Sequence, residues 1–291
     1  MRAYRSRYIL LFGAVLLSAS CMAEVVPPQP DLATPSSAIE PGGILMDISD
    51  CSAISAGDTR LAPVAKFCEF ALTYRRQLPD FIAQQTTTSH GTSSTNLITA
   101  QVTFRQGREQ YSHVTINGQH VPSTGTFPRN LRFTSAGEFG SFLVDLFTSP
   151  GVTEFKFRKE STLQGIPVAI FEFHIPSGDN KFWVLRDSKG RALRPEFRGE
   201  IWLEQQSGRP LREELEPVHL PADSEFASAK TITDYEMTPV GDVGVFLLPA
   251  KSETHLCVRQ RTVSYMESVL TFHDYRKFAA TTRILAGNPE P

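Results

Sequence analysis

From residue 153 to residue 278 the chain alternates apolar and polar residues, broken mainly by turn signals. Residues 153–163 reach Gln164-Gly165 and resume as 166–175. Residues 199–206 reach Ser207-Gly208 and resume as 209–218, and residues 228–240, 245–260 and 262–278 follow. A period of two marks a strand with one buried face. Residues 96–121 behave the same way around Gln106-Gly107 and Asn117-Gly118, and Asn-Gly supplies the positive φ angles of a two-residue hairpin turn. The pattern amounts to roughly ten to twelve strands, most of them joined as hairpins. No strand–helix alternation and no Gly-rich nucleotide loop appears, which excludes a parallel doubly wound sheet. The expected class is α+β, dominated by antiparallel sheet.

Two stretches have a helical period instead. In residues 61–78, Val64, Phe67, Cys68, Ala71, Tyr74 and Leu78 build one apolar face, with Pro63 in the first turn and Pro79 as the stop. In residues 135–151, Phe139, Phe142, Leu143, Leu146 and Phe147 fall on one face. Ser135 and Glu138 have the spacing of a capping box, and Ser149-Pro150-Gly151 ends the run. So apolar a face has to lie against a sheet or against a ligand.

Residues 1–23 read as a secretion signal: Arg2, Arg5 and Arg7, an apolar run over 8–17, then small residues up to Ala23. The run falls short of the roughly 20 residues that span a bilayer. Two cleavage sites compete. One leaves Cys21 as a lipidated membrane anchor; the other, before Glu24, removes it. Residues 24–48, rich in Pro, Ser and Ala, read as a flexible tether. Residues 49–286 read as a single folded domain and 287–291 as a disordered tail. The expected location is the periplasm or the outer membrane. Cys51, Cys68 and Cys257 then remain and allow three pairings. An oxidising compartment favours one disulfide and one leftover thiol. Cys51–Cys68 is the preferred pair, because Cys68 lies on the first helix and Cys51 in the loop before it; that closure constrains the unfolded chain by about 3 kcal/mol. Three free, partly buried thiols are the alternative.

Net charge is −2, from 29 basic and 31 acidic residues, so no basic excess points to nucleic acid. H-E-x-x-H, G-x-S-x-G, S-x-x-K and P-loop patterns are missing. The seven His are scattered, and the cysteine spacings match no zinc pattern. His273-Asp274 reads as a surface pair. Glu200 and Glu204, which share a strand face with Trp202, read as a solvated face before they read as an acid–base pair. No catalytic residue, metal or cofactor is assigned, and a non-enzymatic role is expected.

The aromatic residues are the better candidate site. The chain has 20 Phe and 2 Trp. Phe155 and Phe157 share a strand face, Phe171 and Phe173 share a face of the hairpin partner, and Trp183 and Trp202 stand on later strands. Turned to one concave side with Phe139, Phe142 and Leu146, these rings build an apolar cleft for acyl chains. The alternative is plain core packed beneath the second helix.

A helix before the first strand, a greasy helix among the strands, and the late hairpin Glu200, Trp202, Leu203, Ser207, Gly208, Pro210, Leu211 and Arg212 together resemble the LolA-like superfamily of periplasmic lipoprotein carriers and their relatives, such as LolB, LppX and RseB. The segments LPDFIAQQTTT, REQY and GEFGSFL are also similar to a group of secreted bacterial proteins of this general shape. The resemblance implies a strongly curved antiparallel sheet, an incomplete barrel, with one or two helices packed on its concave side. It implies a hydrophobic ligand, a lipid or lipoprotein acyl chain, held in that concavity. A protein-interaction or sensor module that binds an envelope protein is the alternative.

Overall fold

The computed structural model describes residues 51–91, 94–122, 138–139, 141–148, 154–177, 185–186, 191–259 and 263–278, all within the unit Ser37–Pro291. The signal segment with Cys21, the tether, Ser135, Trp183 and the C-terminal tail lie outside these residues. Two short 3-10 turns, Cys51–Ser55 and Thr59–Leu61, lead into α1 (Ala62–Gln77). Then come β1 (Phe81–His90), β2 (Thr95–Arg105), β3 (Arg108–Ile116), β4 (Gln119–His120), α2 (Ser141–Thr148), β5 (Glu154–Leu163) and β6 (Ile166–Ile175). The short β7 (Leu185–Arg186) and β8 (Ala192–Leu193) precede β9 (Glu196–Glu204), β10 (Pro210–Val218), β11 (Phe226–Val240), β12 (Gly244–Arg259) and β13 (Val263–Lys277).

Three hairpins turn on two residues that both have positive φ: Gln106 and Gly107 at 50° and 72°, Asn117 and Gly118 at 50° and 81°, Gln164 and Gly165 at 51° and 83°. That is the turn whose twist matches the flanking strands. Eleven strands form one antiparallel sheet in the order β4-β3-β2-β1-β13-β12-β11-β10-β9-β6-β5. The first and last strands are neighbours, so the meander runs both ways from a seam at β1 and β13. Its ends, β4 and β5, do not pair, and the barrel stays open there. In sequence, α2 lies between these two edge strands. Of the strand expected over 181–187, the described residues Leu185 and Arg186 pair with β8 in a separate two-stranded ribbon.

The sheet has to curl tightly. Phe139, just before α2, lies 6.2 Å from Phe104 of β2, and Phe142 of α2 lies 6.1 Å from Phe173 of β6. β2 and β6 are seven steps apart in the sheet order; a flat sheet would separate them by about 34 Å. A helix of eight residues is only about 12 Å long. Register shifts interrupt five of the pairings, and bulges of this kind bend and twist strands.

α1 forms where its sequence predicts. A proline sits in its first turn, and Leu78, extended at φ −69° and ψ 131°, closes it ahead of Pro79. Val64, Phe67, Ala71 and Tyr74 enter the core. The helix is tied down on several sides. Cys68 is disulfide-bonded to Cys51, Cα to Cα 5.7 Å. The Tyr74 hydroxyl donates to the Leu247 carbonyl at 2.6 Å, Lys66 donates to the Gln206 carbonyl at 2.6 Å, and Arg75 donates to the Gly107 carbonyl. Gly208, at φ 73°, lies so close to the first turn of α1 that a Cβ there would overlap the Pro63 carbonyl and the Phe67 amide. Cys257 is also in a disulfide, so the leftover thiol expected from the sequence is not found among the described residues.

α2 starts later than its sequence predicts. Glu138 and Phe139 form a turn, and the helix begins at Ser141. The reason is tertiary. The Phe139 amide donates to the Glu109 carboxylate on β3 at 3.2 Å, and the Glu138 side chain is buried.

Candidate functional site

Seven of the nine residues expected to line a cleft meet in one interior. Phe139, Phe142, Leu146, Phe171 and Phe173 are buried in the main core, and Phe155 and Phe157 pack against it half-buried. Phe139 is the hub. Its ring lies 4.7 Å from Phe272, 5.1 Å from Phe81 and 6.3 Å from Tyr275, mostly edge to face. Phe147 stands 5.1 Å from Phe67 of α1 and 5.5 Å from Phe155 of β5, so α2 joins α1 to the free edge strand. In this conformation the rings are packed core beneath α2. Burial of Phe139, Phe142, Leu143 and Leu146 is worth on the order of 6–12 kcal/mol, and that sum is what holds a helix too short to be stable alone.

Trp202 is elsewhere. Phe197, Gly199, Ile201 and Leu203 of β9 are the buried, core-facing set, and a strand alternates its faces. Trp202 therefore lies on the outer face and packs with Val168, Ile170 and Leu211 in a separate cluster. Glu200 and Glu204 flank it there and go to different partners: Glu200 is 3.7 Å from Arg158, and Glu204 is 2.8 Å from Arg209. Hydrogen bonds from Ser207 and Arg209 hold the Glu204 carboxyl below the usual range. His273 bonds Asp274 at 2.9 Å on the exposed surface.

Sequence reasoning passed over a set of buried polar side chains on the core face. Gln85, Thr87 and Ser89 continue the face that Phe81 and Ala83 begin on β1, and all are buried. Across the sheet, Thr233 and Ser252 share a hydrogen bond at 3.3 Å, and the Tyr235 hydroxyl donates to Glu213 at 3.4 Å. Burial pushes the Glu213 carboxyl well above its ordinary value, against the pull of the Tyr235 hydrogen bond. Burial also raises Tyr235, with the nearby Glu213, Tyr74 and Glu138 adding to the effect. The sequence does not mark it: FIAQQTTTSH is apolar over its first three residues and polar in the rest, and only its burial alternates.

At the C-terminal end of α1 there is an open cleft of about 580 Å³. Leu72, Leu78 and Val144 are among its apolar lining, and Arg75, Arg76 and Arg108 contribute positive charge. Among the described residues no group of three or more His, Cys, Asp or Glu converges as a metal site, and no helix is long and apolar enough to cross a membrane.

No family model and no curated protein matches the chain. Solved structures similar to it include a LolA superfamily protein from Nitrosomonas europaea, at 13% identity, covering 74% of this chain and 94% of that one, with a TM-score of 0.39. A DUF1329 family protein from Desulfovibrio piger is similar at 11% identity, 75% and 94% coverage and a TM-score of 0.36. Mycobacterium tuberculosis lipoprotein LppX is similar at 11% identity, 75% and 95% coverage and a TM-score of 0.26. The superfamily that the sequence resembles is thus named among them. Likenesses this distant say nothing of what the chain binds, and the functional reading rests on its own residues.

Proposed function

We propose that the protein is an exported, non-catalytic binding protein whose concave face takes up a hydrophobic ligand, a lipid or a lipoprotein acyl chain, when α2 moves aside. One observation carries the reading: α2, which lies in sequence between the edge strands β4 and β5, packs its rings into an aromatic interior. A ligand that replaces the apolar contacts of α2 recovers about 25 cal/mol for each Å² it buries, which offsets the cost of displacing the helix. The periplasm or the outer membrane is the proposed location, with Cys21 as the candidate anchor.

The test is native mass spectrometry of the protein purified from its own cell envelope, with extraction of whatever is released. A bound acyl species supports the reading, and its mass names the ligand; the intact mass fixes the fate of Cys21. A protein that arrives empty and takes up no fatty acid or fluorescent lipid probe overturns it. The second reading, an envelope protein as partner, draws on the cleft at the end of α1, whose apolar lining and arginines suit an acidic peptide.

A further inference from the structure

The concave face is not uniformly apolar. Residues directly opposite one another on paired strands share a face, and one such row can be followed across most of the sheet. Thr87 of β1 faces Leu270, Leu270 faces Ser252, Ser252 faces Thr233, and Thr233 faces Glu213. The row then passes to Ile201, Phe171 and Phe157. Its β1-to-β10 stretch is polar at four of five positions and its β9-to-β5 stretch is wholly apolar, yet Thr87, Ser252, Thr233 and Glu213 are only 0%, 2%, 6% and 3% exposed.

Most of this polarity is satisfied within the protein: Thr233 with Ser252, Tyr235 with Glu213, and the Gln85 amide nitrogen with Thr87 at 3.3 Å. One atom is not. Gln85 is 1% exposed, and its Oε1 has no hydrogen-bond partner among the described residues. A buried acceptor left without a donor is costly, and native proteins rarely keep one without a reason. Its position supplies the reason. Gln85 pairs with Phe272 of β13, the ring on which Phe139 is seated. Displacing Phe139 from Phe272 would therefore open this face beside Gln85, at the β1 end of the row.

We propose that this row, with the Gln85 carbonyl oxygen as acceptor, recognises a neutral hydroxyl or amide N–H carried by an otherwise apolar cargo. The inference rests on the hydrophobic-ligand reading and narrows it. The cargo's chain lies against Ile201, Phe171 and Phe157, and its polar group donates to Gln85. While the face is covered, burial favours the neutral form of the Glu213 carboxyl; the Gln85 carbonyl oxygen is itself an uncharged acceptor, which suits an uncharged donor.

The experiment is displacement of the fluorescent probe 1-N-phenylnaphthylamine by 1-hexadecanol and by hexadecyl methyl ether, which has the same chain but no donor. The wild-type protein is expected to prefer hexadecanol by about three- to tenfold, the worth of one buried hydrogen bond, and Gln85→Leu to bind the two equally. Equal binding by the wild-type protein, or a preference that survives in Gln85→Leu, overturns the proposal while leaving a hydrophobic site in place. Failure of the probe and of both competitors to bind overturns the hydrophobic-ligand reading itself. A thermal melt of the empty protein gives an independent readout. Gln85→Leu removes an unpartnered acceptor at similar volume and is expected to melt at or above the wild-type temperature; a fall of several degrees means that ordered water or structure already satisfies Gln85 and overturns the proposal.

Discussion

α1 and α2 lie against the same curled sheet but are held by different physics. α1 has 16 residues, a disulfide, and directional bonds to three different turns or strands. α2 has 8 residues and packs chiefly through rings and aliphatic side chains, with one directional bond just ahead of it, from the Phe139 amide to Glu109. Directional bonds fix an element in one place. Apolar contacts can be exchanged for any other apolar surface of similar area, because the hydrophobic effect is non-directional. On the hydrophobic-ligand reading, the difference casts α1 as the frame and α2 as the part that moves.

The most severe way to break this contrast is Phe139→Ala. Removing the hub ring should cost about 3–5 kcal/mol, read as a lower midpoint in denaturant, and hydrogen exchange should show the α2 amides opening while those of α1 stay protected. Equal loosening of both helices would end the distinction. Next in size is the double replacement Cys51→Ser and Cys68→Ser, expected to cost about 3 kcal/mol by thermal unfolding and to raise exchange in α1 without freeing α2. Tyr74→Phe tests the directional side with one atom. It leaves the Leu247 carbonyl without its donor and should cost about 1–2 kcal/mol; no change would mean that α1 is held by packing alone.

The smallest effect is on pH dependence. The folded value of Glu213 lies above its ordinary one, so its contribution is complete below the ordinary carboxylate range and is lost as pH rises through the folded value. One such group gives a slope of at most about 1.4 kcal/mol per pH unit. Glu213→Gln should flatten this part of the stability–pH curve, measured by denaturant titration at several pH values. An unchanged slope would show that Glu213 is not its source.

The parts of the molecule written in local chemistry were legible. Pro63 and Pro79 bracket α1, and residues that tolerate positive φ mark the hairpin turns. Where the deciding partner is distant in sequence, the reading slipped. α2 begins at Ser141 rather than near Ser135, and ahead of it the Phe139 amide is taken by Glu109 of β3, which no local rule can foresee; Ser135, and with it the capping box, lies outside the described residues. Trp202 was placed on the wrong face because Ile201, Trp202 and Leu203 are all apolar, and an uninterrupted apolar run does not say which side is inside. The polar row was overlooked for the converse reason. Gln, Thr and Glu in a strand read as solvated, and only the curl of the sheet over two helices turns that face inward.

The seam between β1 and β13 also sets an order of events. β1 begins at Phe81 and its partner β13 ends at Lys277, so the strand that emerges early from a ribosome or a translocation channel waits for nearly the whole domain before its second edge is covered. Pairing over such a separation is slow, because loop closure comes before the contacts that reward it. Until then both β1 and β12 present a bare edge. A chain truncated before β13 would keep both helices and every hairpin but β12–β13, yet leave two half-sheets with sticky margins. The last fifteen residues of the sheet therefore act as the clasp on a bracelet, and their loss should appear as aggregation rather than as a smaller folded protein.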